Sequence, residues 1–127
     1  MKELTKAEEQ VMEYLWKLDK AFVKDILDQF PEPRPAYNTV STIVRILEKK
    51  GMVGYHAYGK THQYYPLVSP ADYRKGRFKD VLSKHFNNSY KKFASFFARE
   101  EDVSVADLEE MKKIVEDEIE KRKSRNL

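Results

Sequence analysis

The sequence predicts a mostly α-helical chain carrying a single β-hairpin, and three observations predict it. Apolar residues recur three and four apart from Leu4 to Phe30 and again from Tyr37 to Gly51, the period of helices with one buried face. The pattern then changes. Met52–Tyr58 and Thr61–Leu67 are rich in aromatics and strand formers, and Gly59-Lys60 lies between them as a turn. Helical spacing returns after Ser69-Pro70 and continues into the charged C-terminus.

Each element has its own signal. Thr5 is placed to cap the first helix, and Glu8 three positions later completes a capping box. Val11, Met12, Leu15, Trp16 and Leu18 form the apolar face, and Asp19-Lys20 breaks the pattern. Val23, Ile26, Leu27 and Phe30 make a short second helix, which Pro31, Pro33 and Pro35 stop. The third helix starts at Tyr37. It buries Val40, Ile43, Val44 and Leu47 and ends at Gly51. A hairpin is marginal alone, so the two strands must pack on these helices. Three helices followed by a hairpin form a winged helix-turn-helix pattern. Helix three is then the recognition helix, and the tip Gly59-Lys60-Thr61 is the wing.

The outer face of the third helix is unusual. It carries Asn38, Ser41, Thr42, Arg45 and Lys49, with no acid before Glu48. Short hydroxyl and amide groups suit base edges in a major groove, and arginine suits guanine or phosphate. A solvated face that is rich in Ser and Thr is the alternative.

Ser69-Pro70 opens a second half with a cap residue and a first-turn proline. Tyr73, Phe78, Val81, Leu82, His85 and Phe86 lie on one side of a fourth helix. Asn87-Asn88-Ser89 interrupts it, and Phe93, Ala94, Phe96 and Phe97 belong to a short fifth. Ser104 starts a sixth with the stripe Leu108, Met111, Val115 and Ile119, widened by Ile114. Lys121 to Arg125 bring cations to its end, as the helix dipole favours. So many large apolar residues on three short helices predict a dimer interface formed by Phe78, Val81, Leu82, Phe86, Phe93, Phe96, Phe97 and the sixth-helix stripe. Folding back onto the first half is the alternative. The expected domains are 1–69, DNA-binding, and 70–127, a helical dimerisation region.

At 127 residues the chain holds one domain, or a small domain with an appendage. Charged residues make up 35% and the net charge is +3. Residues 33–65 carry five bases against one acid, and 70–99 carry eight against two, while 100–127 carry six against ten. A basic centre suits a polyanionic partner, here double-stranded DNA. No apolar run is long enough for membrane insertion. The start lacks a signal-peptide core and there are no cysteines, so a cytoplasmic protein is expected. No phosphate-binding glycine loop and no Cys nucleophile exist, and His56, His62 and His85 have no metal-site spacing. The expectation is therefore no enzyme, no cofactor and no metal.

The residues also resemble a known family. Leu4-Thr5-Lys6-Ala7-Glu8 with Val11-Met12 and Leu15-Trp16 is similar to the opening of the penicillinase-repressor family, of the BlaI/MecI/CopY type. So are Tyr37-Asn38-Thr39-Val40-Ser41-Thr42, Leu47-Glu48-Lys49-Lys50-Gly51, and the wing from Tyr58 to Ser69. Glu101-Asp102-Val103-Ser104 extends the likeness to the last helix. The resemblance implies a homodimeric repressor on a palindromic operator, a regulator of antibiotic resistance. It carries DNA contacts onto Asn38, Thr39, Thr42 and Lys60. The helical geometry adds Ser41 and Arg45, phosphate docking adds Lys49, and Thr61 stands with Lys60 at the wing tip. Antibiotic-responsive members are inactivated through a membrane sensor protease, with cleavage between an Asn and a Phe. Aligned here, that bond falls at Phe96-Phe97, where the Phe is present and the Asn is not. Copper-responsive members carry a C-terminal Cys motif, which this chain lacks. Two other readings stay open: a ligand-sensing regulator with a small molecule among Phe78, Phe86, Phe93 and Phe97, and a winged helix used for protein contact.

Overall fold

Thr5 and Glu8 do form the expected capping box at the first helix. The Thr5 hydroxyl accepts from the Glu8 amide at 3.2 Å, and the Glu8 carboxylate accepts from the Thr5 amide at 3.1 Å. In this computed structural model, which describes residues 3–126, the elements are α1 (Lys6–Leu18), α2 (Val23–Gln29), α3 (Tyr37–Lys49), β1 (Val53–Tyr58), β2 (Thr61–Pro66), α4 (Pro70–Phe86), α5 (Tyr90–Ala98) and α6 (Val105–Arg125). The chain forms two compact units, Met1–Phe78 and Lys79–Leu127, divided within α4. The first unit is a winged helix-turn-helix fold with a two-stranded antiparallel wing.

The core of the first unit lies where α1, α2 and α3 meet under the wing. Val11, Met12 and Leu15 of α1, Ile26 of α2, and Val40, Val44 and Leu47 of α3 are fully buried. Met52, Val53 and Tyr64 cover them from the hairpin side. Burying each large side chain contributes about 1.5–3 kcal/mol before entropy is charged. Ile43, expected in the α3 stripe, sits at the core's edge, partly buried. Gly51 ends α3 with φ +77°, a conformation that suits glycine. Its amide donates to the Glu48 carbonyl at 3.0 Å and the Met52 amide to the Leu47 carbonyl at 3.0 Å. This pair of hydrogen bonds is a Schellman cap, and it directs the chain straight into β1.

Tyr73, in the first turns of α4, is buried in this unit. Its ring packs on Trp16 at 5.8 Å, and its hydroxyl donates to the Glu9 carboxylate at 3.0 Å. Burial first, and then the carboxylate, push this phenol up to about 12. Trp16 in turn donates its indole N–H to the Val68 carbonyl at 2.8 Å. These bonds seat the beginning of α4 in the first unit, which is why the division falls inside the helix.

One charged side chain is buried among the described residues: Glu8, 4% exposed. The Lys50 ammonium donates to both of its carboxylate oxygens, at 3.1 Å to Oε2, and also to the Glu3 carbonyl at 3.1 Å. Burial pushes the Glu8 carboxyl up. The Lys50 hydrogen bond and charge, together with the Thr5 amide and hydroxyl, outweigh this, and the result lies below the ordinary value of 4.5. A lowered carboxyl stabilises the fold above its unfolded value, and that contribution is lost as pH falls through the folded one. Glu8→Gln is therefore expected to flatten the loss of thermal stability below pH 4.5. Lys50→Ala, which leaves a buried carboxylate without its cation, is expected to cost about 3 kcal/mol at pH 7. Urea unfolding of Lys50→Ala beside the exposed neighbour Lys49→Ala checks this; equal midpoints would remove the pair from its structural role.

Candidate nucleic-acid interface

The recognition face is built by the amphipathicity of α3. With Val40, Val44 and Leu47 buried, helical geometry turns Asn38, Thr39, Thr42, Arg45 and Lys49 outward. All five are exposed, and Ser41 is half-buried. No side chain caps the N-terminus of this helix. The Thr42 hydroxyl donates to the Asn38 carbonyl at 2.9 Å. Its proton is thus used within the helix, leaving a methyl group and acceptor lone pairs to face outward.

The wing is positioned by a pairing that local sequence patterns did not signal. Ala21, between α1 and α2, pairs with Tyr64 of β2. The Ala21 amide donates to the Tyr64 carbonyl at 2.9 Å and the Tyr64 amide to the Ala21 carbonyl at 2.8 Å. The hairpin is thereby bonded along a second edge to the loop after α1. Its register pairs Tyr55 with Tyr64, His56 with Gln63, Ala57 with His62 and Tyr58 with Thr61, and Gly59 turns with φ +63°. Side chains alternate across the sheet, so Tyr55, His62 and Tyr64 share one face, and His56 and Tyr65 share the other. The register thus places His56 and His62 on opposite faces. Tyr55 and His62 stack at 4.1 Å and 7°, and His56 stacks on Tyr65 at 4.9 Å. Gly54 lies close beneath Tyr65: a Cβ there would stand 2.9 Å from the end of the ring, which would have to shift.

Recognition helix and wing converge on one cleft of about 230 Å³, lined by Val23, Tyr37, Asn38, Ser41, Arg45, Lys60, Thr61, His62 and Tyr64. Five of the expected contact residues, Asn38, Ser41, Arg45, Lys60 and Thr61, therefore share its walls. Thr39, Thr42 and Lys49 do not line it and lie exposed on α3. Sequence patterns did not assign Tyr37 or His62 to this site. Tyr37 is one helical turn from Ser41, and His62, two residues before Tyr64 on β2, shares its face, so both periods carried the signal once Tyr64 was placed. Burial raises the Tyr64 phenol, the Glu48 charge adds to this, and Arg45 opposes it.

The structure also sorts the cations. Arg34 donates to the Phe30 carbonyl at 2.9 Å and the Asp28 carbonyl at 3.3 Å and stands 3.7 Å from Glu32. Lys50 is engaged by Glu8. Two of the five bases counted between 33 and 65 thus serve the fold. Arg45, Lys49 and Lys60 make no salt bridge among the described residues. Among those residues, no cluster of His, Asp and Glu is arranged to hold a metal ion.

In the second unit, Asn87 and Asn88 adopt φ of 52° and 60°, and Ser89 caps α5 by accepting from the Lys92 amide at 3.0 Å. Ser104 and Asp107 form a capping box on α6. Phe86 packs edge-on against Phe93 at 5.4 Å, and Phe93 stacks on Phe97 at 5.9 Å. Val81, His85, Phe86, Phe93, Phe96 and Phe97 line an open cavity of about 560 Å³. Phe96 is 57% exposed, whereas Leu82 is already buried and Phe78 closes the first unit, half-buried. On α6, Met111, Ile114, Val115 and Ile119 are exposed and Leu108 is half-buried. The Phe96-Phe97 bond lies within α5. Among the described residues no helix is long and apolar enough to cross a membrane.

An exposed polar face on the third helix, flanked by a wing, marks the first unit as a winged-helix domain of the DNA-binding type. Residues 4–117 match the penicillinase repressor family, and the chain belongs to that family, one of transcriptional repressors and not enzymes. It is 27% identical to the methicillin resistance regulatory protein MecI of Mammaliicoccus sciuri over 114 residues, 89% of this chain and 93% of MecI. It is 21% identical to the penicillinase repressor of Bacillus licheniformis over 122 residues, 95% of each chain. Among solved structures, the DNA-binding domain of the repressor BlaI is 26% identical, with a TM-score of 0.49, covering 57% of this chain and 94% of that one. The CopR repressor is 33% identical, with a TM-score of 0.44, covering 54% and 100%.

The Ala21 bridge gives a direct expectation. Ala21→Pro removes the amide that holds the Tyr64 carbonyl. Amide exchange at Tyr64 should accelerate and the urea midpoint should fall, while the α6 amides keep their protection. Unchanged exchange at Tyr64 would show that the wing is seated without this bridge.

Proposed function

We propose that the protein represses transcription in the cytoplasm as a homodimer bound to a palindromic operator, occluding the promoter. The observation that carries this reading is the cleft where Asn38, Ser41 and Arg45 of α3 meet Lys60 and Thr61 of the wing. A rigid core fixes one wall and the Ala21 bridge the other. In this reading α3 enters the major groove. Asn38 suits adenine, Arg45 guanine and the Thr42 methyl a thymine methyl, with Ser41 and Thr39 as short polar contacts. Lys49, Lys60 and Thr61 dock on phosphates and set the register. Each subunit reads one half-site, so protein symmetry matches operator symmetry.

Dimerisation is supported by the apolar side chains left open in the second unit. Val81, Phe96, Met111, Val115 and Ile119, exposed, would form the interface together with the half-buried Phe78, Phe86, Phe93, Phe97 and Leu108, while Leu82 is already buried. No residue of α6 is buried within the chain, as suits a helix awaiting a partner. Release from DNA would follow proteolysis at Phe96-Phe97, with a membrane sensor protease system as the signal. Because the bond lies within a helix, α5 must open before it is cut. The aromatic cavity supports a second reading, an apolar small-molecule effector bound there. A ligand that raises the melting temperature in proportion to its concentration would favour it.

The first experiment is binding to duplex DNA from the region upstream of the gene, against a scrambled duplex, across a salt series. Preferential binding at physiological salt by two subunits supports the repressor. Equal binding to both duplexes that vanishes with salt shows generic phosphate attraction and favours the protein-contact reading. Arg45→Ala is expected to cost about 1–3 kcal/mol and relax specificity at one base pair. Lys60→Ala should weaken all sequences alike and reduce the log–log salt slope by about 0.9 for each phosphate that it leaves unneutralised. Paired Val115→Asp and Ile119→Asp changes should yield a folded monomer in sedimentation velocity. A dimer that survives both would move the interface off α6.

A further inference from the structure

We infer that His62 is a DNA-contacting residue that takes up a proton when the cleft is occupied, so that operator binding strengthens on mild acidification. The inference rests on the DNA-binding reading of the cleft and adds a phosphate partner to it. His62 is half-buried, lines the cleft beside Lys60 and Thr61, and lies across from Arg45. Its ring is held parallel to Tyr55 at 4.1 Å and 7°, with Tyr64 at 6.1 Å edge-on. A ring clamped in this way points its nitrogens along a set direction before any ligand arrives, and the tyrosine face tolerates an imidazolium. The charged groups around it are Arg45 on α3, Lys60 in the turn, and Glu48 on α3, whose charge reaches Tyr64. The other neighbours are the phenol rings of Tyr37, Tyr55 and Tyr64.

A duplex seated on α3 and the wing brings phosphates to this wall. Imidazole is the side chain whose ordinary titration falls between pH 5 and 8, and an adjacent anion favours its protonated form. Binding then draws a fraction of a proton from solvent per subunit, and by linkage the affinity rises as pH falls. His56 is the internal control. It stands on the opposite face of the wing, stacked on Tyr65.

The test is fluorescence-anisotropy binding of the full chain to the labelled upstream duplex at pH 6 and pH 8, with wild type, His62→Gln, His62→Phe and His56→Gln. Phenylalanine keeps a ring on Tyr55 but cannot take a proton, so it separates stacking from charge. Wild type and His56→Gln are expected to bind roughly fivefold tighter per subunit at pH 6. Their salt slope should also steepen there by about 0.9 per subunit, from one additional neutralised phosphate. Both His62 variants should lose the pH dependence and the steeper slope. Wild-type binding that is sequence-selective but flat with pH overturns the inference and leaves the repressor reading standing. So does a pH dependence that survives in both His62 variants or disappears in His56→Gln. Failure to prefer the upstream duplex at either pH removes the repressor reading itself.

Discussion

The winged-helix unit depends on the ion pair between Glu8 and Lys50. One carboxylate closes the capping box of α1 and receives the ammonium that follows α3. A buried charge is tolerated only when it is paired and hydrogen-bonded, and here both conditions are met. Such a pair adds little net stability compared with an apolar substitute, but breaking one half is costly. Its consequence is geometric. The C-terminal end of the recognition helix is tied to the N-terminal end of α1, and the Schellman cap at Gly51 then delivers the chain to the wing at a set angle. The opposite end of α3, with Asn38 and an uncapped N-terminus, is left exposed.

That tie also separates structural from functional charge. A basic stretch in a sequence is a sum, and the sum treats every cation alike. In the fold, Arg34 is held by carbonyls of the α2–α3 connection and Lys50 by Glu8. Arg45, Lys49 and Lys60 make no such bonds among the described residues. Of the five bases between 33 and 65, the three without such bonds lie on α3 and at the wing tip. The second unit shows the converse for apolar groups. The phenylalanines of α4 and α5 pack on each other, but α6 keeps Met111, Val115 and Ile119 of its aliphatic stripe exposed.

The helices, their caps and the wing were legible because each has a local cause. A capping box is read over four residues, a helix stripe over two turns, and a hairpin from one Gly-containing turn between aromatic runs. Membership of the penicillinase repressor family was legible for a related reason: several local motifs occur in the right order along most of the chain. On the candidate site, periodicity was enough to place Asn38, Thr42 and Arg45 on the outer face of α3. It did not bring in Tyr37 and His62, whose place in the cleft depends on which face of β2 turns inward.

Sequence by itself determined the element order, the amphipathic face of α3, the turn at Gly59 and the apolar surplus of the second half, all consequences of spacing within a few residues. Tertiary structure alone decided which cations are spent, where the wing is anchored and which histidine enters the cleft. Lys50 meets Glu8 across 42 positions, and Tyr64 of β2 meets Ala21, which lies outside both strands. Such pairings arise only when distant segments are packed together, since it is burial that makes an unpaired charge or amide costly enough to choose its partner.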